Sequence, residues 1–290
     1  MTEPFGKRLT EAVAARGPLC VGIDPHAELL VAWGVGDSLD GLRRFTDGVV
    51  EALAGSVSVL KPQMAFYERF GARGLAVLED AVAAARAAGA LVLLDAKRGD
   101  IGSTMAGYAD YLADGHPMQV DALTVSPYLG PESLAPAVST ARRSGGGLFV
   151  LARTSNPDAG TFQLATAGDR SVAQAVVDAV RGYNTPDQLW SELPADGGVG
   201  HAGGFGPSLG SFGVVVGATL PELDVDLEGL RGPVLAPGLG AQGGTVQDLR
   251  RLFGAGQAVV PTVSRDVLGA GPDPGALRAA AERWAEALSA

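Results

Sequence analysis

The chain has 290 residues, 47% hydrophobic and 19% charged, which supplies a large core and excludes a disordered or fibrous polymer. A formal net charge of −10 argues against a nucleic-acid binder, which needs a basic patch, but leaves room for a small anion held by a few local cations and backbone N–H groups. The single cysteine, Cys20, excludes a disulfide framework and a Cys-rich zinc site and reads as a buried, inert thiol. Met1–Thr10 lacks the apolar core of a signal peptide, and no apolar run nears the ~20 residues that span a bilayer, so the expected location is the cytoplasm with no membrane contact.

A helix is expected at Phe5–Ala15, then an apolar strand at Pro18–Asp24. Helix Leu39–Ala54 leads to strand Val57–Pro62, helix Phe66–Ala88 to strand Ala90–Asp95, helix Ser103–Gly115 to strand Val120–Ser126, and helix Pro131–Arg143 to strand Gly147–Arg153. After helix Arg170–Tyr183, the Gly-, Pro- and polar-rich stretch 184–211 reads as a long loop insertion or partial lid before strand Phe212–Ala218. The acidic stretch Leu220–Gly232 reads as a solvated helix or turn face. Strands Pro233–Pro237 and Gln257–Val263 flank helix Thr245–Phe253, and a last helix covers Pro274–Leu288. Near-continuous apolar runs suit strands buried on both faces of a parallel sheet. Eight strand-then-helix units predict a single-domain α/β fold, a closed (β/α)8 barrel; a doubly wound open sheet fits eight regular units less well.

Barrels of this kind place their chemistry at the C-terminal strand ends, and here those ends are charged. The first strand ends at Asp24, the second at Lys61, and the third carries Asp95 and Lys97. Asp95 and Lys97 are two apart, so an extended chain puts them on one face, and Asp100 follows as the chain leaves the strand. One such charge is commonly a turn or cap residue. Three successive strand ends with charges of both signs are costly unless the charges work together. A lysine held between carboxylates stays protonated and can deliver a proton to a developing carbanion. On the far side, Pro237-Gly-Leu-Gly-Ala-Gln242-Gly-Gly follows the seventh strand and Thr262-Val-Ser264-Arg265 the eighth. Those are the loops that grip phosphate in barrels, through glycine-exposed N–H groups and a guanidinium fork.

The run Leu94-Asp95-Ala96-Lys97-Arg98-Gly99-Asp100-Ile101-Gly102-Ser103-Thr104 resembles the Asp-x-Lys-x-x-Asp-Ile signature of orotidine 5′-phosphate decarboxylases. The likeness extends to Asp24, Lys61, the Pro237 loop and Ser264-Arg265, and so spans almost the whole barrel. It implies conversion of orotidine 5′-monophosphate to uridine 5′-monophosphate and CO2 in de novo pyrimidine synthesis, without metal or cofactor. It implies Lys97 as proton donor to C6, Asp95 beside the substrate carboxylate, Lys61 linking Asp95 to the ribose hydroxyls, and Asp24 on the ribose. Gln242 and Arg265, with Ser264 beside them, would hold the phosphate; Ser155 would contact the pyrimidine and Pro237 line its pocket. Asp100, Ile101 and Thr104 would complete the neighbouring subunit's site, which implies a homodimer. Ser264 replaces the family's more common Gly, and the 184–211 insertion is long, features of the longer bacterial branch. The nearest rivals are sugar-phosphate decarboxylases and aldolases of the same superfamily, which use magnesium and a carboxylate at the second strand's end; Lys61 stands there instead. A barrel that only binds a nucleotide phosphate would be expected to lack Asp95 or Lys97, and both are present.

Overall fold

The structure, a computed structural model, describes residues 2–185 and 209–289. Its strands are β1 (Cys20–Ile23), β2 (Val59–Pro62), β3 (Leu91–Arg98), β4 (Ala122–Val125), β5 (Gly147–Arg153), the two-residue β6 (Thr166–Ala167) and β7 (Arg170–Ser171), β8 (Phe212–Val216), β9 (Val234–Pro237) and β10 (Val259–Val263). Eight of these close in the order β1-β2-β3-β4-β5-β8-β9-β10, with β10 paired back onto β1 and every ladder parallel. The short pair β6 and β7 forms a separate antiparallel hairpin. The closed barrel is the architecture that the strand rhythm predicts.

Period-two alternation explains the interior. One set of strand residues, including Val59, Leu91, Leu93, Ala122, Phe149, Val215 and Val260, points inward, and Phe5, Leu9 and Val13 of the helix Phe5–Arg16 cap that set from below. The rings of Phe5 and Phe149 meet edge to face at 5.9 Å, sealing the N-terminal end. The alternate residues, such as Val21, Leu60, Leu94 and Leu123, pack outward against the helices. Helix Leu39–Leu53 shows the matching pattern: Leu42, Phe45, Val49 and Leu53 form its buried stripe, and Ser38 caps it by accepting from the Gly41 N–H at 3.1 Å.

One expected helix differs. The helix expected over Phe66–Ala88 breaks into Ala65–Glu68 and Gly71–Ala87, because Gly71 takes φ 63, a left-handed conformation that ends one turn and starts another. The acidic stretch forms no helix. In it Val225 and Leu227 are buried while Glu222, Asp224, Asp226 and Glu228 face outward. It runs as bends and a turn, the turn alternative of the sequence reading, and leaves the β8–β9 unit helix-free among the described residues. Gln174, on the helix Val172–Tyr183, ties this segment down by accepting from the Asp226 N–H at 2.7 Å. The expected 184–211 insertion lies largely outside the described residues. At its described ends, the Gly6 N–H donates to Ser211 Oγ (3.2 Å) and the Phe212 N–H to Asn184 Oδ1 (3.1 Å). Both ends therefore sit at the sealed end of the barrel, away from the strand C-termini where a lid would be anchored. No helix among the described residues is long and apolar enough to cross a membrane.

Candidate active site

The inward-facing set changes character along the barrel. Two residues above Val59 comes Lys61; above Leu93, Asp95; above Ala122, Thr124. These polar side chains open into a cavity of about 230 Å³ at the C-terminal strand ends, floored by Leu235, Val215 and Leu151.

Asp95 is its electrostatic centre. It is buried and accepts four hydrogen bonds: at Oδ2 from Lys61 Nζ (3.1 Å) and Gln63 Nε2 (3.1 Å), and at Oδ1 from Lys97 Nζ (2.6 Å) and Thr124 Oγ1 (2.8 Å). Burial alone would push its carboxyl up; the two ammonium groups and the donated hydrogen bonds outweigh that and hold it well below the usual carboxylate range. Burial pulls the Lys61 ammonium down, but Asp95 and Asp24 more than reverse this and raise it. Beneath them, burial pushes the Cys20 thiol up to about 12, so it stays neutral and inert, as its sequence context predicts.

Lys97 reaches Asp95 by an irregular route. Its φ is 49, and the β3–β4 register shifts between Leu94 and Arg98. A non-glycine residue in the left-handed region costs roughly 1–3 kcal/mol and persists where the surroundings enforce it. Here the Lys97 N–H donates to Thr124 Oγ1 at 2.9 Å, so one hydroxyl fixes both the strained backbone and the carboxylate. The expected meeting of Asp95 and Lys97 occurs, but on a bulged strand.

Asp24 faces the same cavity. Its Oδ2 accepts from the Ser264 hydroxyl, while Oδ1 is buried with no partner among the described residues. A buried bare carboxylate oxygen is a ready acceptor for a ligand hydroxyl. Gly22 makes room for the contact, since a Cβ there would lie 2.7 Å from Ser264 Oγ. Opposite, the loop after β9 contributes Pro237 and Gln242, with Gly238 at φ 114, a conformation side chains rarely adopt. The Arg265 side chain, at the mouth, forms no hydrogen bond or ion pair with any described residue, leaving its fork free for an anion.

The cavity thus brings together Asp24, Lys61, Asp95, Lys97, Pro237, Gln242, Ser264 and Arg265. It leaves out four expected residues. Asp100 accepts from the Ile101 N–H at 2.8 Å, Ile101 is 62% exposed, and Thr104 is exposed on the following helix. Ser155 is exposed and lies against Gly217 outside the cavity wall, where Thr154 stands instead. The sequence reading missed Gln63, Thr124 and Thr154. The first two were accessible from alternation, each two residues beyond an inward-facing neighbour; Thr154 lies past the strand and had no periodic signal.

Comparison with known proteins places this geometry. Residues 17–280 match the model of the orotidine 5′-phosphate decarboxylase / HUMPS family. The chain is 57% identical over 286 residues to the orotidine 5′-phosphate decarboxylase of Streptomyces coelicolor, covering 98% of this chain and 96% of that one. It is 55% identical to the enzyme of that name from Salinispora arenicola, covering 97% and 95%. A crystal structure from Streptomyces avermitilis superposes with a TM-score of 0.89 at 56% identity, covering 99% and 95%. The OMP decarboxylase of Leishmania donovani superposes at 0.70 with 31% identity, covering 98% and 97%. The chain belongs to the orotidine 5′-phosphate decarboxylase / HUMPS family.

Proposed function

We propose that this protein decarboxylates orotidine 5′-monophosphate to uridine 5′-monophosphate in de novo pyrimidine synthesis, with no metal or cofactor. The observation that carries the reading is the Lys61–Asp95–Lys97 chain, an ionised carboxylate fixed by four donors with an ammonium at 2.6 Å. A substrate carboxylate set beside Asp95 meets like charge, and its departure as CO2 relieves the contact. The C6–carboxylate bond breaks with both electrons left on C6. Lys97 passes a proton to that carbon, and the neutral amine regains a proton from solvent. The bare Oδ1 of Asp24 and the Lys61 ammonium suit ribose hydroxyls, and Gln242 and the unpaired Arg265, with Ser264 beside them, suit the phosphate.

Lys61 also favours this reading over the magnesium-using sugar-phosphate branch. Its buried ammonium repels a divalent ion, and among the described residues no cluster of three or more His, Cys, Asp or Glu could hold one. Asp100, Ile101 and Thr104 are assigned to the partner's site in a homodimer, an assignment supported by the exposure of Ile101 and Thr104 and by the absence of all three from this chain's own cavity lining. Ser155 is kept as a pyrimidine contact that would need to turn inward when substrate binds. The cytoplasm is the proposed location. The test is to mix the purified protein with orotidine 5′-monophosphate and EDTA and follow the pyrimidine absorbance. Rapid conversion is expected; turnover only of a ketose phosphate, and only with added magnesium, would overturn the proposal.

A further inference from the structure

The β3–β4 ladder is interrupted where the charged groups sit. Leu94 pairs with Leu123 and Arg98 with Val125, so Asp95, Ala96 and Lys97 on β3 stand against Thr124 alone on β4. This bulge, with Lys97 at φ 49, brings Nζ back onto Asp95 Oδ1. A strained backbone keeps its shape only where its surroundings hold it on both sides. The lower end is held by the core, since Leu94 and Leu123 are both fully buried. The upper end lies at the barrel mouth, and there the anchor is Arg98, the last residue of the strand. Its carbonyl accepts from the Ser126 N–H at 2.8 Å. Its half-buried guanidinium pairs with Glu68, donates from the same nitrogen to Met64 Sδ at 3.4 Å, and stands 5.5 Å from the centre of the Tyr108 ring. Arg98 thereby ties its own strand end to the helices Ala65–Glu68 and Gly102–Ala109. The first of these follows the turn that serves Asp95 directly: the Met64 N–H donates to the Asp95 carbonyl at 3.2 Å, and Gln63 Nε2 donates to its carboxylate. Arg98 does not line the cavity that holds Asp24, Lys61, Asp95 and Lys97; it faces the open groove beside it.

We infer that Arg98, paired with Glu68, is a positioning residue that closes the upper end of the β3 bulge and so holds the Lys97 ammonium where the carbanion develops, setting the rate of the chemical step and not the affinity for the nucleotide. The inference rests on the decarboxylase reading and deepens it. With the clamp released, Lys97 can relax toward regular strand geometry and its ammonium leaves the reacting carbon. A displacement of about 1 Å at a reacting group is enough to cost about 100-fold in rate. The ribose and phosphate contacts, on β1, β2, β9 and β10, are built on other strands and stay in place.

The test combines steady-state kinetics on orotidine 5′-monophosphate with calorimetric binding of two probes: uridine 5′-monophosphate, and an analogue of it carrying an anionic oxygen on C6, which places negative charge where the carbanion would form. Arg98→Ala should lower kcat by about 10- to 100-fold while KM stays within about threefold. The C6-anionic analogue should weaken by at least about tenfold and uridine 5′-monophosphate by less than about threefold. Glu68→Gln should shift kcat in the same direction, and the double variant should be no slower than Arg98→Ala, because both changes release one clamp. Arg98→Lys, which keeps the charge opposite Glu68 but not the planar fork, should recover part of the loss. Should Arg98→Ala not fold, Glu68→Gln carries the same comparison of kcat with KM and of the two probes. The inference is overturned if kcat stays within about threefold, if both probes weaken equally, if the two losses multiply in the double variant, or if sedimentation shows that the activity is lost through a change of oligomeric state. Failure of the unmodified protein to decarboxylate orotidine 5′-monophosphate would overturn the decarboxylase reading itself; turnover by the unmodified protein together with full kcat in Arg98→Ala would overturn this inference alone.

Discussion

Replacing Asp95 with Asn isolates the charge that organises the cavity. The amide keeps a similar shape and can still bond Thr124 and Gln63, but Lys61 loses the counter-ion 3.1 Å away. At an effective dielectric of ~20, one pair of unit charges at that separation is worth about 5 kcal/mol before desolvation is counted. Stripping one partner from a buried pair costs about 3–5 kcal/mol, and Asp24 still faces Lys61, so the lower end, about 3 kcal/mol, applies here. For a domain of this size that is a fall in Tm of roughly 6–12 °C at pH 7. The pH dependence gives the signature. In the unmodified protein Lys61 is raised, so its stabilisation is fully present below its unfolded pKa of about 10.4 and is lost only as pH rises through the folded value. Asp95 is depressed, so its stabilisation is fully present above about pH 3.9 and is lost as pH falls through the folded value. Neither term changes between about pH 5 and 9. In the variant, the folded state holds a buried ammonium without its nearest anion, so the unfolded chain binds the proton better and stability climbs with pH. Thermal melts followed by circular dichroism at steps from pH 6 to 9.5 should show the deficit shrinking as pH rises. A variant that melts with the unmodified protein at pH 7, or a deficit that stays constant across the series, would refute the electrostatic account.

Three further outcomes follow from the site. Lys97→Ala should lower turnover of orotidine 5′-monophosphate by at least about 10³-fold while the melting temperature moves little, because its side chain is 45% exposed; near-normal activity would remove Lys97 as proton donor. Arg265→Ala should raise KM by about 10²-fold with a much smaller change in kcat in steady-state assays, since the guanidinium has no internal partner to lose; an unchanged KM would take the phosphate away from this end of the cavity. Lys97→Ala and Asp100→Ala should each be nearly inactive alone, yet regain about a quarter of full activity after the two are unfolded and refolded together, because half the dimers would then carry one intact site. No recovery on mixing would mean that Asp100 serves its own chain or none.

The strands were legible because burial on both sheet faces leaves short, unbroken apolar runs, and eight regular repeats of them between amphipathic segments fit a closed barrel better than an open sheet. Acidic residues at every second position fit a solvated helix as well as a solvated turn, and the β8–β9 connection takes the turn. What separates the two is Val225 and Leu227, buried between the carboxylates, and the contacts that hold the segment down come from Gln174 and Arg153, far away in sequence. The 184–211 insertion falls mostly outside the described residues, and only its two described ends bear on where it joins the barrel. A segment that leaves a helix and enters a strand joins the barrel at its N-terminal end, whatever its glycine content, and that could have been argued from the unit order alone.

The site was legible wherever alternation continued past the apolar layer. Lys61 and Asp95 sit in the same inward column as Val59 and Leu93, and Gln63 and Thr124 obey the same rule once it is applied beyond the charged residues. Lys97 obeys a different one. Two residues of regular strand separate side chains by roughly 7 Å along the chain, which would leave its ammonium level with Asp95 only by the reach of its stem. The left-handed turn at Lys97, held by a hydroxyl from β4, folds the chain so that Nζ closes on Oδ1 at 2.6 Å. The spacing Asp-x-Lys therefore encodes the pair only together with Thr124 on another strand. A periodic reading names the two charged residues correctly and still misses the third residue that makes their contact possible.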